Sequence, residues 1–211
     1  MNKKKLVGNI LIIAGVVIIA VAVSMRIKAY YVQKAMVDTF QNTIENVDKT
    51  GEASSAPSTS NPKEAEETSI GGNVTAIVAI PKIDLKVAMS EGVDMETLKY
   101  AVGHFKGTAD PGQTGNCCIA GHRSYTYSQY FNRLDEVKTG DEITIQTKNG
   151  TYTYVVYSTM VVEPSQLEVL DPTKDPELTL ITCTPVRVAT HRLIVKAKLK
   201  LNINCQAAYT K

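Results

Sequence analysis

The chain has 211 residues, of which 44% are hydrophobic and 21% charged, so it could hold one sizeable domain with extra segments or two very small domains. The net charge of +2 is unevenly distributed along the chain. Residues 1–34 carry six basic groups and no acid, which leaves 17 basic against 21 acidic groups in residues 35–211. Nucleic-acid binding needs a clustered basic face, so this mildly acidic remainder argues against a nucleic-acid-binding protein.

The first predicted element is a transmembrane anchor over residues 6–24, preceded by a short stub at residues 1–5. The stretch LVGNILIIAGVVIIAVAVS has no charge, and as a helix it is about 28 Å long, close to the hydrocarbon thickness of a bilayer. A secretory signal peptide is the alternative, but its apolar part is usually about 7–15 residues. The lysines before the run slightly favour a cytoplasmic N-terminus, with the rest of the chain exported as a single-pass membrane protein.

Two further segments are predicted before the globular part. Residues 25–50 have apolar side chains at mixed helical spacing and predict a juxtamembrane helix. Residues 51–72 have no aromatic residue and many Ser, Glu, Pro and Gly, so they cannot bury enough surface to offset their conformational entropy. We therefore expect a flexible spacer there, a globular domain over residues 73–205 and a tail at residues 206–211.

The globular part reads as mostly β. A short helix capped by Asp94 is predicted within DMETLKYAVGHF, a brief strand within GNCCIAGH, and a type I′ hairpin around Asn149-Gly150. The last two strands are LTLITC and HRLIVKAKLKL. About eight short strands with a few short helices predict a closed or nearly closed β-barrel that follows the N-terminal transmembrane helix.

The residue types leave one kind of catalytic chemistry open. The chain has no metal-ligand spacing, no phosphate-binding glycine loop and no serine nucleophile elbow. Cysteine nucleophile chemistry remains, but four cysteines and three histidines allow twelve pairings, so composition does not choose among them. The adjacent pair Cys117 and Cys118 would point to opposite faces of a strand, which strains a mutual disulfide, and small buried apolar side chains are their plainer role. Cys205 lies in a polar stretch and indicates little.

Position along the chain narrows the choice. Cys183 ends an apolar strand, and a hairpin over residues 184–190 would bring Arg192 near it, where a guanidinium favours a thiolate and can bind an oxyanion. His122 follows an apolar strand, at the point where a scaffold element becomes a loop. The plainer interpretations are a solvated strand-end cation for Arg192 and a surface loop histidine for His122. We interpret His104 and His191 as structural.

Three stretches, GNCCIAGHR, TLITC and THRLIV, resemble the motifs of one known family, the sortases, which are membrane-anchored cysteine transpeptidases of Gram-positive bacteria. TLITC resembles the family's TLxTC signature, GNCCIAGHR resembles the strand that carries its catalytic histidine, and THRLIV resembles the strand that opens with its catalytic arginine. IPKIDLKVAMSEG and GHFKGTADPGQTGN also look like family segments. The resemblance covers about residues 74–200 and implies an eight-stranded sortase-type β-barrel.

The resemblance implies a role for each matching residue. Cys183 would attack the carbonyl between Thr and Gly of an LPxTG-like sorting signal and form a thioester. His122 would act as general acid to the departing amine and then as base toward the incoming amine, and Arg192 would hold the oxyanion. Thr182 would line the substrate groove. No metal or organic cofactor would be required.

The implied partners are the sorting signal of secreted surface proteins and an amine of a lipid II-type peptidoglycan precursor. The compact barrel and CTPVRVATHRL look most like class D, with class A next. A pilin-polymerising sortase that uses a lysine amine is the main alternative, although residues 45–75 lack the Asp-Pro-aromatic lid motif. A non-catalytic membrane-tethered β-barrel is a distant alternative.

Overall fold

A computed structural model describes residues 3–49, 74–123 and 130–200. The predicted spacer at residues 51–72 and the predicted tail at residues 206–211 lie outside the described residues. The described residues are thus the long N-terminal helix and the globular part.

Within the described residues, eight strands form a closed barrel, which confirms the predicted mostly-β fold. In chain order the strands are β1 (Val74–Ile80), β2 (Leu85–Glu91), β3 (Val102–His104), β4 (Gly115–Ala120), β5 (Glu142–Thr147), β6 (Gly150–Val162), β7 (Pro176–Thr184) and β8 (His191–Leu199). Around the barrel the order is β1-β2-β3-β4-β7-β8-β6-β5, and β5 pairs with β1 to close it. Strand β7 lies between β4, to which it is parallel, and β8, to which it is antiparallel.

Alternation along the strands fills the barrel interior. On β7, Leu178 and Leu180 belong to the main core together with Leu193 and Val195 of β8. Ile181 points the other way and packs in a smaller cluster on the outer surface. The period of two along a strand explains this division, because successive side chains leave opposite faces of a sheet.

Short helices connect the strands. Helix α2 (Met95–Tyr100) is capped by Asp94, whose carboxylate accepts hydrogen bonds from the backbone N–H groups of Glu96 (3.1 Å) and Thr97 (2.9 Å), as predicted. In the described part of the chain, three short 3₁₀ helices span Pro81–Ile83, Leu134–Glu136 and Leu167–Leu170.

The predicted β5–β6 hairpin is present, but its turn differs from type I′. The last pair of the ladder joins Thr147 to Gly150, so the central residues of the turn are Lys148 and Asn149, and neither has a positive φ. A type I′ turn needs a positive φ at both central residues. The Thr147 hydroxyl stabilises this turn instead, because it accepts a hydrogen bond from Asn149 N–H (3.1 Å) and donates one to the Gly150 carbonyl (3.1 Å).

The N-terminal helix α1 (Lys3–Lys49) is continuous, so the predicted anchor and juxtamembrane helix form one element. It is long and apolar enough to cross a membrane, with its candidate span at Leu11–Glu45. Large apolar side chains from Leu11 to Val23 are exposed along its first half, as expected of a surface that contacts lipid.

The second half of α1 packs against the outside of the barrel. Met36, Val37 and Phe40 are buried there. Their partners in this helix–barrel cluster come from β1, β2 and the region of α2: Ile77, Ala88, Tyr100 and Ala101. This contact holds the barrel directly on the helix.

Candidate active site

The β7–β8 hairpin places two of the predicted site residues side by side. Cys183 and Arg192 are direct partners in the antiparallel ladder, so their side chains leave the same face of the sheet. The alternation that sends Leu180 into the barrel and Ile181 outward puts this pair on the outer face. Cys183 is a free thiol of intermediate exposure.

The loop between these strands is tightly folded. Its Thr184–Pro185 peptide bond is cis, and the Pro185 carbonyl accepts hydrogen bonds from the N–H groups of Val188 (3.2 Å) and Ala189 (2.9 Å). The Arg192 guanidinium donates through Nη1 to the carbonyls of Ala189 (3.2 Å) and His191 (3.0 Å). These contacts keep Arg192 at the base of the hairpin, beside the strand that carries the thiol.

The third predicted residue, His122, arrives on the other side of Cys183. Strand β4 is parallel to β7 with Ala120 opposite Ile181, and Gly121 continues the ladder by donating its N–H to the Ile181 carbonyl (3.1 Å). Two residues past Ala120, His122 is therefore level with Cys183. The strand order β4-β7-β8 brings His122, Cys183 and Arg192 to the same end of three adjacent strands.

The segment at residues 130–132 supports the backbone around His122. A side chain on Gly121 would place a Cβ 2.5 Å from the ring of Phe131, so glycine is required for this close approach. The Phe131 N–H also donates to the His122 carbonyl (3.1 Å). Phe131 is fully buried, so these contacts tie the histidine backbone to the core.

The environment of His122 favours its neutral form. Partial burial lowers the pKa of His122 below 6.5, because desolvation penalises the imidazolium. The described residues make no hydrogen bond to its ring. A neutral imidazole at neutral pH is able to accept a proton from a nearby thiol.

Thr182 lies on the opposite face of β7 from Cys183. It is only 2% exposed, and its hydroxyl donates to the Gly121 carbonyl (2.7 Å). The contact that the structure shows for Thr182 thus joins β7 to the residue before His122. Its implied contact with substrate stays a prediction.

The remaining described cysteines are unsuited to nucleophilic chemistry. Cys117 faces the barrel core and Cys118 packs in the outer cluster, so the two lie on opposite faces of β4, as predicted. Burial strongly raises the pKa of the Cys117 thiol and raises that of Cys118 to about 12. Both thiols therefore stay protonated at neutral pH.

The other two histidines have structural contacts. His104 is buried, with Nδ1 2.8 Å from the Glu91 carboxylate and Nε2 3.0 Å from the Ala109 carbonyl. His191 pairs with Glu163 across 3.1 Å at the surface. Across the described residues, no group of three or more His, Cys, Asp or Glu side chains is arranged to hold a metal ion.

The sequence interpretation missed two residues that shape this end of the barrel, Arg123 and Asn116. Arg123 has only 6% of its side chain exposed and contacts three acceptors. Asn116 is buried and binds the β6–β7 connection. In the sequence, each of them is visible only as a polar residue at the edge of an apolar strand. Such a pattern does not indicate which groups the side chain will contact.

Comparisons with known proteins identify the family. The sortase domain model matches residues 78–200, more than half of the chain. Sortase D of Bacillus subtilis is 30% identical over 115 residues, which are 54% of this chain and 56% of the relative. Sortase SrtE1 of Streptomyces coelicolor is 32% identical over 61% of this chain and 41% of the relative. The chain thus spans about half the length of these curated relatives.

A solved structure is similar over a larger share. The Clostridium perfringens Sortase D5 transpeptidase aligns with a TM-score of 0.63 and 30% identity over 81% of this chain and 99% of that chain. Sequence and barrel therefore agree, and the chain belongs to the sortase family.

Proposed function

We propose that the chain is a cysteine transpeptidase that cleaves an LPxTG-like sorting signal between Thr and Gly and joins the new carboxyl end to an amine of a peptidoglycan precursor. The observation that carries the proposal is the direct pairing of Cys183 with Arg192, with His122 level with them on the neighbouring strand. The description of the similar Clostridium perfringens protein as a transpeptidase supports it.

In the first half of the proposed reaction, Cys183 becomes acylated. His122 takes the thiol proton, and the sulfur attacks the threonine carbonyl to form a tetrahedral intermediate. The Arg192 guanidinium stabilises the negative oxygen of that intermediate. The C–N bond to glycine then breaks, the imidazolium gives its proton to the departing amine, and a thioester on Cys183 remains.

The second half runs the same steps with a new amine. The amine of the precursor attacks the thioester, and His122 accepts the proton that the amine loses as the amide forms. The C–S bond breaks and the Cys183 sulfur regains a proton from His122. No metal or organic cofactor takes part in either half.

The remaining residue in the prediction, Thr182, acts in this proposal through its bond to Gly121. By holding the backbone before His122 against β7, its hydroxyl keeps the histidine and the thiol at one level.

The proposed location is the outer side of the cell membrane. The apolar first half of α1 would cross the bilayer once, and the barrel packed on its second half would face the secreted surface proteins and the cell-wall precursor. The described part of the chain has one helix long and apolar enough to span a membrane.

Within the family we propose a class D sortase. Sortase D of Bacillus subtilis and the Clostridium perfringens Sortase D5 are among the proteins that the chain resembles. A structure described as sortase C1 of a pilus island also aligns, with a TM-score of 0.60 and 26% identity. The alternative acceptor, a pilin lysine, is therefore included in the test.

Replacing the nucleophile tests the proposed chemistry. In Cys183→Ala, we expect the full chain in detergent to lose cleavage of an LPxTG peptide, because no thioester can form, while thermal unfolding stays close to the wild type. Cys118→Ala is the matched control and should retain cleavage, because the Cys118 thiol is buried and protonated. Cleavage retained by Cys183→Ala contradicts the proposal.

The acceptor is decided by competition. The wild-type chain, the sorting peptide and two amines, a wall-type oligoglycine and a pilin peptide with a single lysine, are mixed, and the products are identified by mass spectrometry. Joining to oligoglycine is expected. Joining to the lysine peptide alone would replace the cell-wall assignment with pilin polymerisation.

A further inference from the structure

The residue after His122 has a charged side chain in an unusual place for a loop. Arg123 is 94% shielded from solvent along its side chain, although its ion-pair partner Asp135 is 56% exposed. Buried charges are seldom tolerated unless they are paired and hydrogen-bonded. The position of Arg123 therefore points to a specific set of partners.

The guanidinium reaches two separate segments of the chain. Nη1 donates to the Thr184 hydroxyl (3.0 Å), Nε donates to the Asn132 carbonyl (3.2 Å), and Nη2 lies 2.8 Å from an oxygen of Asp135. Thr184 is the residue directly after Cys183. One side chain therefore joins the exit of β4 to the end of β7 and to residues 132–135.

These bonds bracket the proposed catalytic pair. On one side of it, Thr182 donates to the Gly121 carbonyl (2.7 Å). On the other side, Arg123 donates to Thr184. His122 and Cys183 are the residues between these two bonds on their respective strands. Paired residues of the ladder end at Ala120 and Ile181, and one more backbone bond follows, from the Gly121 N–H to the Ile181 carbonyl. Beyond that bond, the side chains of Thr182 and Arg123 join the two strands.

We infer that Arg123 is a positioning residue, which sets the distance between His122 and Cys183 by fixing the chain after each of them. The inference rests on the proposed function of that pair. Within the described residues no hydrogen bond is made to the His122 ring, and the hydrogen bond that the structure shows for this residue joins its carbonyl to the Phe131 N–H. Small displacements of a reacting group cost large factors in rate, which makes such a brace consequential.

The test removes one acceptor. Thr184→Val keeps the shape of the side chain and deletes only its hydroxyl, so in the full chain in detergent we expect kcat for sorting-peptide cleavage to fall by about 10- to 100-fold, with little change in KM. Arg123→Lys should lose kcat as well, because a single ammonium cannot serve three acceptors in a planar fork. Arg133→Gln, which breaks a surface ion pair and a bond to the Ile83 carbonyl in the same segment, should keep the wild-type kcat.

A double variant separates positioning from general loosening. If Arg123 acts through His122, the double variant His122→Gln/Thr184→Val should cleave the sorting peptide at the same residual rate as His122→Gln alone. A further loss of the same size, or wild-type kcat in both Thr184→Val and Arg123→Lys, overturns the inference. A fall in kcat that simply follows a lower unfolding temperature also overturns it.

A measurement without substrate distinguishes this inference from the proposed function. The chain has three histidines, so ring carbon labelling resolves the His122 signal, which His122→Gln assigns. Thr184→Val should change the chemical shift and pH titration of that signal, whereas Arg133→Gln should not. If the His122 signal is unchanged in Thr184→Val, the inference is overturned, whether or not the wild type cleaves the sorting peptide. A wild type that cleaves no sorting peptide would count against the proposed function alone.

Discussion

At the scale of single residues, burial decides which thiol can react. Cys117 and Cys118 are enclosed by apolar neighbours, and their raised pKa values keep them protonated. Cys183 lies on the outer barrel face and is partly exposed, opposite a guanidinium-bearing residue. The same thiol group thus serves packing at two positions and is partly exposed to solvent at the third.

The lowered pKa of His122 predicts a pH-dependent stability. Because the unfolded chain has the ordinary pKa of 6.5, it binds more protons than the folded chain just below that pH, so the contribution of His122 to stability falls as the pH drops from 6.5 toward the folded pKa. Compared with His122→Gln, the wild type should lose free energy of unfolding as the pH falls through this window. The slope of that loss against pH should not exceed the value for uptake of one proton. Urea unfolding of both chains between about pH 7.5 and 5, a window that brackets the ordinary histidine pKa of 6.5, measures the difference. Parallel curves would show that burial does not disfavour the imidazolium.

At the scale of elements, a buried amide fixes the β6–β7 connection against the barrel. Asn116 donates through Nδ2 to the carbonyls of Val169 (2.9 Å) and Asp171 (3.1 Å), and its Oδ1 accepts from the Thr179 hydroxyl (2.7 Å). The connection therefore rests on β4 and β7, the strands that lead to His122 and Cys183. Its shape is tied to the framework of the candidate site.

Removing this amide should loosen the connection. Asn116→Ala leaves two carbonyls and a buried hydroxyl without a partner, which costs about 1–3 kcal/mol for such a group. We expect a lower free energy of unfolding in urea and faster hydrogen exchange of the amides at residues 166–171. Thr179→Val removes the bond to Oδ1 and leaves both Nδ2 bonds in place, so it serves as the control and should leave exchange in the connection near wild type. Equal exchange in Asn116→Ala and the wild type would mean that other contacts hold this segment.

At the scale of the whole molecule, the helix that carries the candidate span is also part of the packed structure. The helix–barrel cluster buries Phe40 against residues of β1, β2 and the end of α2. Apolar burial of this kind stabilises by about 25 cal/mol per Å² of area removed from water. The barrel is therefore held near the helix by packing, in addition to the chain that joins them.

Truncating the centre of that cluster should weaken the contact. Phe40→Ala is expected to cost about 3 kcal/mol, as buried aromatic residues do when cut to alanine. The measurement is thermal unfolding of the full chain in detergent, together with protease cleavage within residues 30–49. Tyr31→Ala, on an exposed part of the same helix, is the control and should unfold like the wild type. If both variants behave alike, the helix does not depend on Phe40 for its contact with the barrel.

Local sequence patterns by themselves determined most of the elements. The period of two in LTLITC puts Leu180 and Cys183 on opposite faces of the strand, and Asp94 marks the start of α2, because strand alternation and helix capping depend on neighbours in the chain. The uncharged run after the N-terminal lysines marked the candidate span for the same reason. The family motifs singled out Cys183, His122 and Arg192 before any contact was known.

Tertiary structure alone decided how these residues meet. The parallel pairing of β4 with β7 sets His122 level with Cys183 across about sixty residues of chain, and no local pattern specifies that register. The partners of Arg123 and Asn116, the inward burial of Thr182 and the packing of α1 on the barrel likewise depend on segments far apart in sequence. Such contacts depend on which surfaces fit together once the barrel closes. For this physical reason the pattern of residues could single out the candidate site residues but not the hydrogen bonds and packing that hold them.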